Sequence, residues 1–473
     1  MNVDPIPGWR RGVAGAALAI ALTAAIGLHD RFAFADSSAR ATSLPAYATL
    51  DEWIRREAIP FSPDSAASLN ATVDKVVGSL DQTVELLGFG EAMHGAEDIL
   101  TLRNLFFERL AQAHGYSAIA IESGFPEGHA IDAYAAGGPG SYESAARDGW
   151  PLAANRELIE WMRHYNADPT HRVKLRFYGF DISGAGTARI LGPDRVLHLA
   201  LDYLASIEPT ASQERRQRID SLLARLSGWE NPDVWIDKAK APGLTPAATS
   251  LRIATEDLVT EFRTRRPELV AKSDEDRYLE ALQYALIARQ TLDFHAAIAR
   301  ESGEPLAGPR GIRDALMADN LSYIAGRERG RGKVFVFAHS LHLQRGVSVW
   351  PCCGQKYRGT DVYQWWPAGA QLNAMFGNRY AVIGTAVAVS QDNGIAAPEP
   401  GTLEARLTAV PGPAMLIPTH AGQVLSNTDL AALKPRSGSQ KNSSYAVLEA
   451  HSLTDFDWLA VLDSTTMARG WPP

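Results

Sequence analysis

Cysteine is almost missing from this chain of 473 residues. There are two, Cys352 and Cys353, and they are neighbours. Adjacent cysteines bridge only through a strained eight-membered ring, and without a C-x-x-C pair they make a poor zinc site. A disulfide framework and a cysteine-held structural metal are therefore excluded, and the pair reads as free or vicinal thiols in a loop. Signature loops are missing too. The sequence contains no G-x-S-x-G elbow, so a serine nucleophile of that kind has no seat. It contains no P-loop and no G-x-G-x-x-G after a strand, which removes the usual phosphate and dinucleotide cradles. A net charge of −8 and the lack of a basic run leave no footprint for nucleic acid or for a membrane surface. Internal repeats and low-complexity tracts are absent as well.

What is present is ordinary globular composition, 46% hydrophobic and 21% charged. The N-terminus reads as a targeting segment. Arg10 and Arg11 precede an apolar run from Val13 to Leu28, and Ala33-Phe34-Ala35 forms a small-residue cleavage site before Asp36. The run is short for a membrane span. Residues 1–35 are therefore expected to be a signal peptide, leaving residues 36–473 as an exported protein, periplasmic or secreted, without stable membrane insertion. Its partners are expected to be small molecules; the sequence does not give the oligomeric state.

One stretch organises the rest: VELLGFGEAMHGAEDILTLRNLFFERLAQAHGYSAIAIE, from Val84 to Glu122. Its pattern predicts strand, loop, helix, strand. A short apolar run ends at glycines, and Glu91 and His94 follow in GEAMHG. Ile99, Leu102, Phe106 and Leu110 then recur at helical spacing, and Arg103 falls inside their arc. An inward arginine is costly unless a carboxylate or a ligand meets it. The next strand ends on Glu122.

Further along, VKLRFYGFD predicts a strand ending at Asp181, and KVFVFAH one ending at His339, with His342 three residues on. RYAVIGTAVAV and the short runs Ala414–Pro418 and Trp458–Leu462 complete the set of strands. Helices are expected at Leu50–Glu57, Ala66–Leu80 and Asn155–Tyr165. From about 188 to 300 the chain is rich in Leu, Ala, Arg and Glu at helical spacing, with breaks near Pro232 and Pro242. The predicted architecture is α/β: a central, mainly parallel sheet flanked by helices, forming a single large domain with a helical insertion over 188–300. In GIRDALMADNLSYI, Arg313 and Asn320 flank the apolar stripe and face partly inward.

Ligands in open α/β sheets bind beyond the carboxyl ends of the strands. Glu91, Glu122, Asp181 and His339 stand at four such ends, and their coincidence marks a site. Any one of them alone would more often cap a turn. With no serine or cysteine signature, histidine and carboxylate chemistry remains. His94 suits a general base if Glu91 or Glu122 fixes its tautomer, and His339 and His342 suit a carbonyl or a developing oxyanion. Arg103, His342, Arg313 and Asp181 are the candidate substrate contacts. The predicted reaction is hydrolysis of a carboxylic ester by activated water, without a covalent intermediate or cofactor. Two alternatives use the same residues. Glu91, His94, Glu122, His339 and His342 could hold a divalent metal in a metal-dependent hydrolase, or could bind a metal or haem in a periplasmic protein with no enzymatic activity.

GEAMHG, Arg103 nine residues after His94, AIESGFPEG, FYGFD, RDALMADN, FAHSLHLQRG and RYAVIG follow one another as in the erythromycin esterase family. The resemblance extends over most of the mature chain, through PEPGTLEARL to FDWLAVLD, with GEAMHG and AHSLH its most specific pieces. It implies an α/β fold with a large helical portion, and a cleft that opens macrolide lactones in the antibiotic-resistance members. By that resemblance His94 is the base, Glu91 and Glu122 position it or the water, and Arg103, His339 and His342 line the pocket. Met93 and Ser340-Leu341 depart from the family pattern without removing a reacting group.

Overall fold

The computed structural model describes residues 47–146, 152–182, 191–235, 238–300, 308–351, 362–425 and 427–471. The expected leader and the Cys352–Cys353 pair lie outside them. Eight strands form one sheet in the order β1-β9-β10-β8-β2-β5-β3-β4. They are β1 (Ile59–Phe61), β2 (Leu86–Glu91), β3 (Tyr116–Gly124), β4 (Arg176–Asp181), β5 (Lys333–His339), β8 (Tyr380–Val389), β9 (Ala414–Pro418) and β10 (Trp458–Ser464). From β10 to β4 every neighbouring pair is parallel; β9 runs antiparallel to both β10 and β1. A separate antiparallel hairpin, β6 (Ser348–Pro351) with β7 (Val362–Trp365), follows β5.

The central strands are near-continuous apolar runs because both faces of the sheet are covered. Side chains along a strand alternate between faces, and the two cores divide accordingly. Leu86, Ala118, Ala120, Val334 and Val336 enter one core, while Leu87, Phe89, Ile119, Ile121, Phe335 and Phe337 enter the other. The helices Ala66–Ser79, Glu97–Ala113 and Ala153–Ala167 pack on the second face. The first is covered by the helices that precede β5.

Those helices fill the predicted insertion: Asp194–Ile207, Pro209–Leu223, Pro246–Thr264, Arg266–Lys272 and Glu275–Ala299. Short 3-10 turns at Pro232–Trp235 and Pro242–Leu244 sit where proline breaks the pattern. The insertion docks on the helix Pro309–Glu328, where Gln283 donates to Asn320 Oδ1 at 2.6 Å and Asn320 donates to the Phe180 carbonyl at 2.9 Å. Its first helix also meets the strand-end rim, with Arg195 bonded to Glu127 and to the carbonyl of Pro126. Among the described residues no helix is long and apolar enough to cross a membrane.

Candidate active site

The carboxyl ends of β2, β5, β3 and β4 lie side by side, so Glu91, His339, Glu122 and Asp181 come from adjacent strands. Glu91 and His339 are register partners across β2–β5. The Glu122 carboxylate reaches across to accept the His339 backbone N–H at 2.8 Å.

His94 follows β2 in a loop that is tied down on several sides. Its N–H donates to Ser444 Oγ at 2.9 Å, and its carbonyl accepts from Asn442 Nδ2 at 2.9 Å. The next residue, Gly95, has φ +75, and a Cβ there would strike the Trp471 ring at 2.7 Å. Only glycine satisfies both the left-handed backbone and the close approach. The His94 ring turns Nδ1 to Glu91 Oε1 at 2.6 Å, and the side chain is 39% exposed. Burial lowers the imidazole's proton affinity, but the adjacent Glu91 charge and hydrogen bond, with Glu122 behind them, outweigh it and lift the pKa to about 9.

His339 lies beside it, ring centroids 5.1 Å apart. Both its nitrogens are committed: Nε2 donates to the Ser444 carbonyl at 2.7 Å, and Nδ1 accepts from the Leu341 N–H at 3.2 Å. Burial and the neighbouring His94 push its pKa down to about 3, so it is a neutral Nε2–H tautomer. His339, expected to react directly or to hold an oxyanion, has both ring nitrogens bonded to backbone groups in this geometry. It fastens the Ser444 segment over the site instead.

On the far side His342 pairs through Nδ1 with Asp314 Oδ1 at 2.8 Å, and its Nε2 lies 3.3 Å from Arg313 Nη1 and 3.4 Å from Glu122 Oε1. Burial lowers its proton affinity, but Asp314 and Glu122 prevail and its pKa is raised. Arg313 clamps Asp181 through Nε at 2.9 Å and through Nη2, and reaches Glu122 Oε1 at 2.9 Å. Burial alone would raise the Glu122 carboxyl; His342, Arg313 and His94 hold it well below the usual carboxylate range.

Two expected contacts are buried supports. Asp181 has no exposed surface and is spent on Arg313, because the helix Pro309–Glu328 closes over the end of β4. Arg103 is also fully buried. Among the described residues it meets the Asn104 and Asn155 side-chain oxygens, at 2.7 and 2.9 Å, with the Phe337 ring 4.7 Å away. Burial lowers its pKa to about 10 against the opposing pull of Glu91.

The sequence did not reveal Asp314, Asn442, Ser444 or the aromatic flank. Trp350 lies 5.9 Å from His339 and Trp365 lies 6.2 Å from His342, and the Arg310 guanidinium sits over both indoles at 5.7 and 5.5 Å.

Of the histidines in the metal alternative, His339 does not fit, since both its nitrogens are bonded, whereas His94 and His342 are bonded through Nδ1 to carboxylates. Among the described residues no group of three or more His, Cys, Asp or Glu is arranged to hold a metal ion.

A mainly parallel sheet with two acid–imidazole pairs at its carboxyl edge defines the class of this protein as α/β. The chain belongs to the erythromycin esterase family, whose model matches residues 111–465, so it groups with ester hydrolases. Glu91 and His94 lie ahead of the matched span. The chain is similar to erythromycin esterase type II of Escherichia coli, 24% identical over 307 residues, covering 62% of this chain and 69% of that one. It is also similar to the putative hydrolase YbfO of Bacillus subtilis, 22% identical over 402 residues, covering 82% and 84%. Solved structures share the fold. A Bacillus cereus protein superposes with TM-score 0.65 at 18% identity, covering 88% of this chain and 97% of its own. A succinoglycan biosynthesis protein gives 0.64 at 18% identity, covering 89% and 97%. A histidine-to-asparagine mutant of erythromycin esterase EreC in its open conformation gives 0.61 at 17% identity, covering 84% and 95%.

Proposed function

We propose that this protein hydrolyses carboxylic esters by direct attack of a water that His94 deprotonates, without a covalent intermediate. The observation that carries the reading is the Glu91–His94 pair at 2.6 Å. Glu91 accepts the Nδ1–H and supports the imidazolium that forms when Nε2 takes a proton from water. Arg313 donates toward Glu122 Oε1 at 2.9 Å and toward His342 Nε2 at 3.3 Å, and a carbonyl oxygen gaining charge beside this guanidinium would be stabilised.

The substrate class we favour is a lactone or ester with a broad apolar face, such as the macrolides that name the family. The indoles of Trp350 and Trp365 beside His339 and His342 support this, since pockets for such ligands are lined mostly by apolar and aromatic side chains. The expected outcome is a mass gain of one water when a macrolide panel is incubated with the protein. In heavy-oxygen water a single turnover places the label in the acid product. His94→Asn abolishes turnover while ligand binding persists. Chelators leave the rate unchanged. Accumulation of an acyl-enzyme, or chelator inactivation reversed by zinc or manganese, would overturn the mechanism.

A further inference from the structure

The Asp314–His342 pair has a geometry that a merely structural ion pair does not need. Asp314 is fully buried at the start of the helix Pro309–Glu328. Its Oδ1 accepts two donors, His342 Nδ1 at 2.8 Å and the Ala368 N–H at 2.9 Å, so the carboxylate cannot turn. Its Oδ2 has no hydrogen-bond partner among the described residues. A buried, half-satisfied carboxylate is costly, and it is tolerated where it does a job. The Nδ1 of His342 must donate, because the carboxylate can only accept. The opposite edge of the ring is held more loosely, with Nε2 at 3.3 and 3.4 Å from its neighbours. That edge is the one a substrate oxygen can claim.

We infer that Asp314 is a positioning residue that holds His342 as an imidazolium, its Nδ1–H on the carboxylate and its Nε2–H on the opposite edge of the ring, so that His342 donates the Nε2 proton to the departing alkoxide. This rests on the ester-hydrolysis reading and gives its second half-reaction a donor. The two acid–imidazole pairs divide the work. Water oxygen bonds to the carbonyl carbon while its proton passes to His94 Nε2, and the carbonyl electron pair moves onto oxygen. On collapse the carbon–alkoxide bond breaks, and the alkoxide takes the proton from His342 Nε2. Acid and alcohol leave, and solvent resets the two rings. The charged and titratable groups facing His342 are Asp314 and Arg313 from one helix, Glu122 from β3 and His339 at the end of β5. Two anions against one fixed cation favour the protonated ring.

The test compares two esters of one acid, an ethyl ester and a 4-nitrophenyl ester. An alkoxide needs a proton to leave, and a nitrophenolate does not. Asp314→Asn is expected to lower kcat on the ethyl ester by about 100-fold or more, and on the nitrophenyl ester by about 10-fold or less, a spread in keeping with the usual gain from a general acid. In nitrogen-15 spectra of the unliganded protein, His342 in the variant titrates at lower pH and loses its fixed Nδ1–H tautomer, and Asp314→Glu restores part of both. Equal losses on the two esters, or an unchanged His342 titration, would overturn the inference. Should Asp314→Asn not fold, His342→Gln on the same ester pair carries the test. Wild-type protein that cleaves neither these esters nor any member of the macrolide panel sinks the hydrolase reading, and the spectra then decide separately whether Asp314 positions His342.

Discussion

At the level of single residues, the question is how His94 can be a base when its surroundings favour its protonated form. Glu91 lies at 2.6 Å and the pKa stands at about 9. A base must be deprotonated to act, so kcat/KM is expected to rise with pH toward a plateau near that value, well above the ordinary imidazole range. Glu91→Gln removes the charge that holds the proton. The rising limb should then move down toward about 6.5, while kcat falls because the imidazolium in the transition state loses its support. A pH–rate profile of both proteins decides it; an unmoved limb would mean that Glu91 does not set the titration of His94. Glu91, His94, Glu122 and His339 are legible in the sequence because each closes or follows a predicted strand, and parallel strands end on one edge. Asp314 is not. It stands one residue from Arg313, about 100° around the helix, and no stripe argument brings both to one site.

Among the elements, the segment 436–446 has no regular structure yet holds the site together. Arg436 binds the Val387 carbonyl at 2.6 Å and the Ala388 carbonyl, the Ala446 N–H donates to the Ala92 carbonyl at 2.8 Å, and Asn442 and Ser444 hold the His94 backbone between them. A run of Ser, Asn, Gly and Lys reads as an ordinary loop, because its partners are backbone groups far away in sequence. Asn442→Ala frees the His94 carbonyl and loosens Ser444. It is expected to lower kcat by at least about 10-fold at nearly unchanged KM, the pattern of lost positioning for the transition state. A rise in KM alone would count against it. The helix Pro309–Glu328 behaves differently. Its inward Asn320 is a structural peg, and Asn320→Ala strips a partner from the Phe180 carbonyl and from Gln283. Two buried groups left unpaired cost about 1–3 kcal/mol each, read as a lower urea midpoint at unchanged slope. Helices and long strands followed the sequence closely, since periodicity marks them. Strand β1, with three residues, and the hairpin β6–β7 did not, being too short for a period to show.

For the whole molecule, the buried histidines set how stability depends on pH. His339 and His295 are both 1% exposed, and burial, the leading cause in each, pushes their pKa values to about 3 and about 4. Each lies below the value near 6.5 expected in the unfolded chain. Between those limits the unfolded chain binds protons that the folded one refuses, so stability rises with pH through this window and falls as acid is added. His94 works in a different range. Its folded value of about 9 gives stability that is complete below about 6.5 and lost as pH rises toward 9, so it adds no slope on the acid side. Glu122 has a depressed folded pKa, so its contribution is present above the ordinary carboxylate range and disappears only below it. Between about pH 5 and 6 each buried neutral histidine therefore adds a positive slope. His339→Gln keeps a side-chain N–H for the Ser444 carbonyl and removes one titrating ring. Urea unfolding at several pH values in that interval should show the slope of stability against pH reduced by about 1 kcal/mol per pH unit, one proton's worth. A parallel line at lower stability would show that His339 is not held neutral in the folded protein, and would reopen it as a proton carrier in the site.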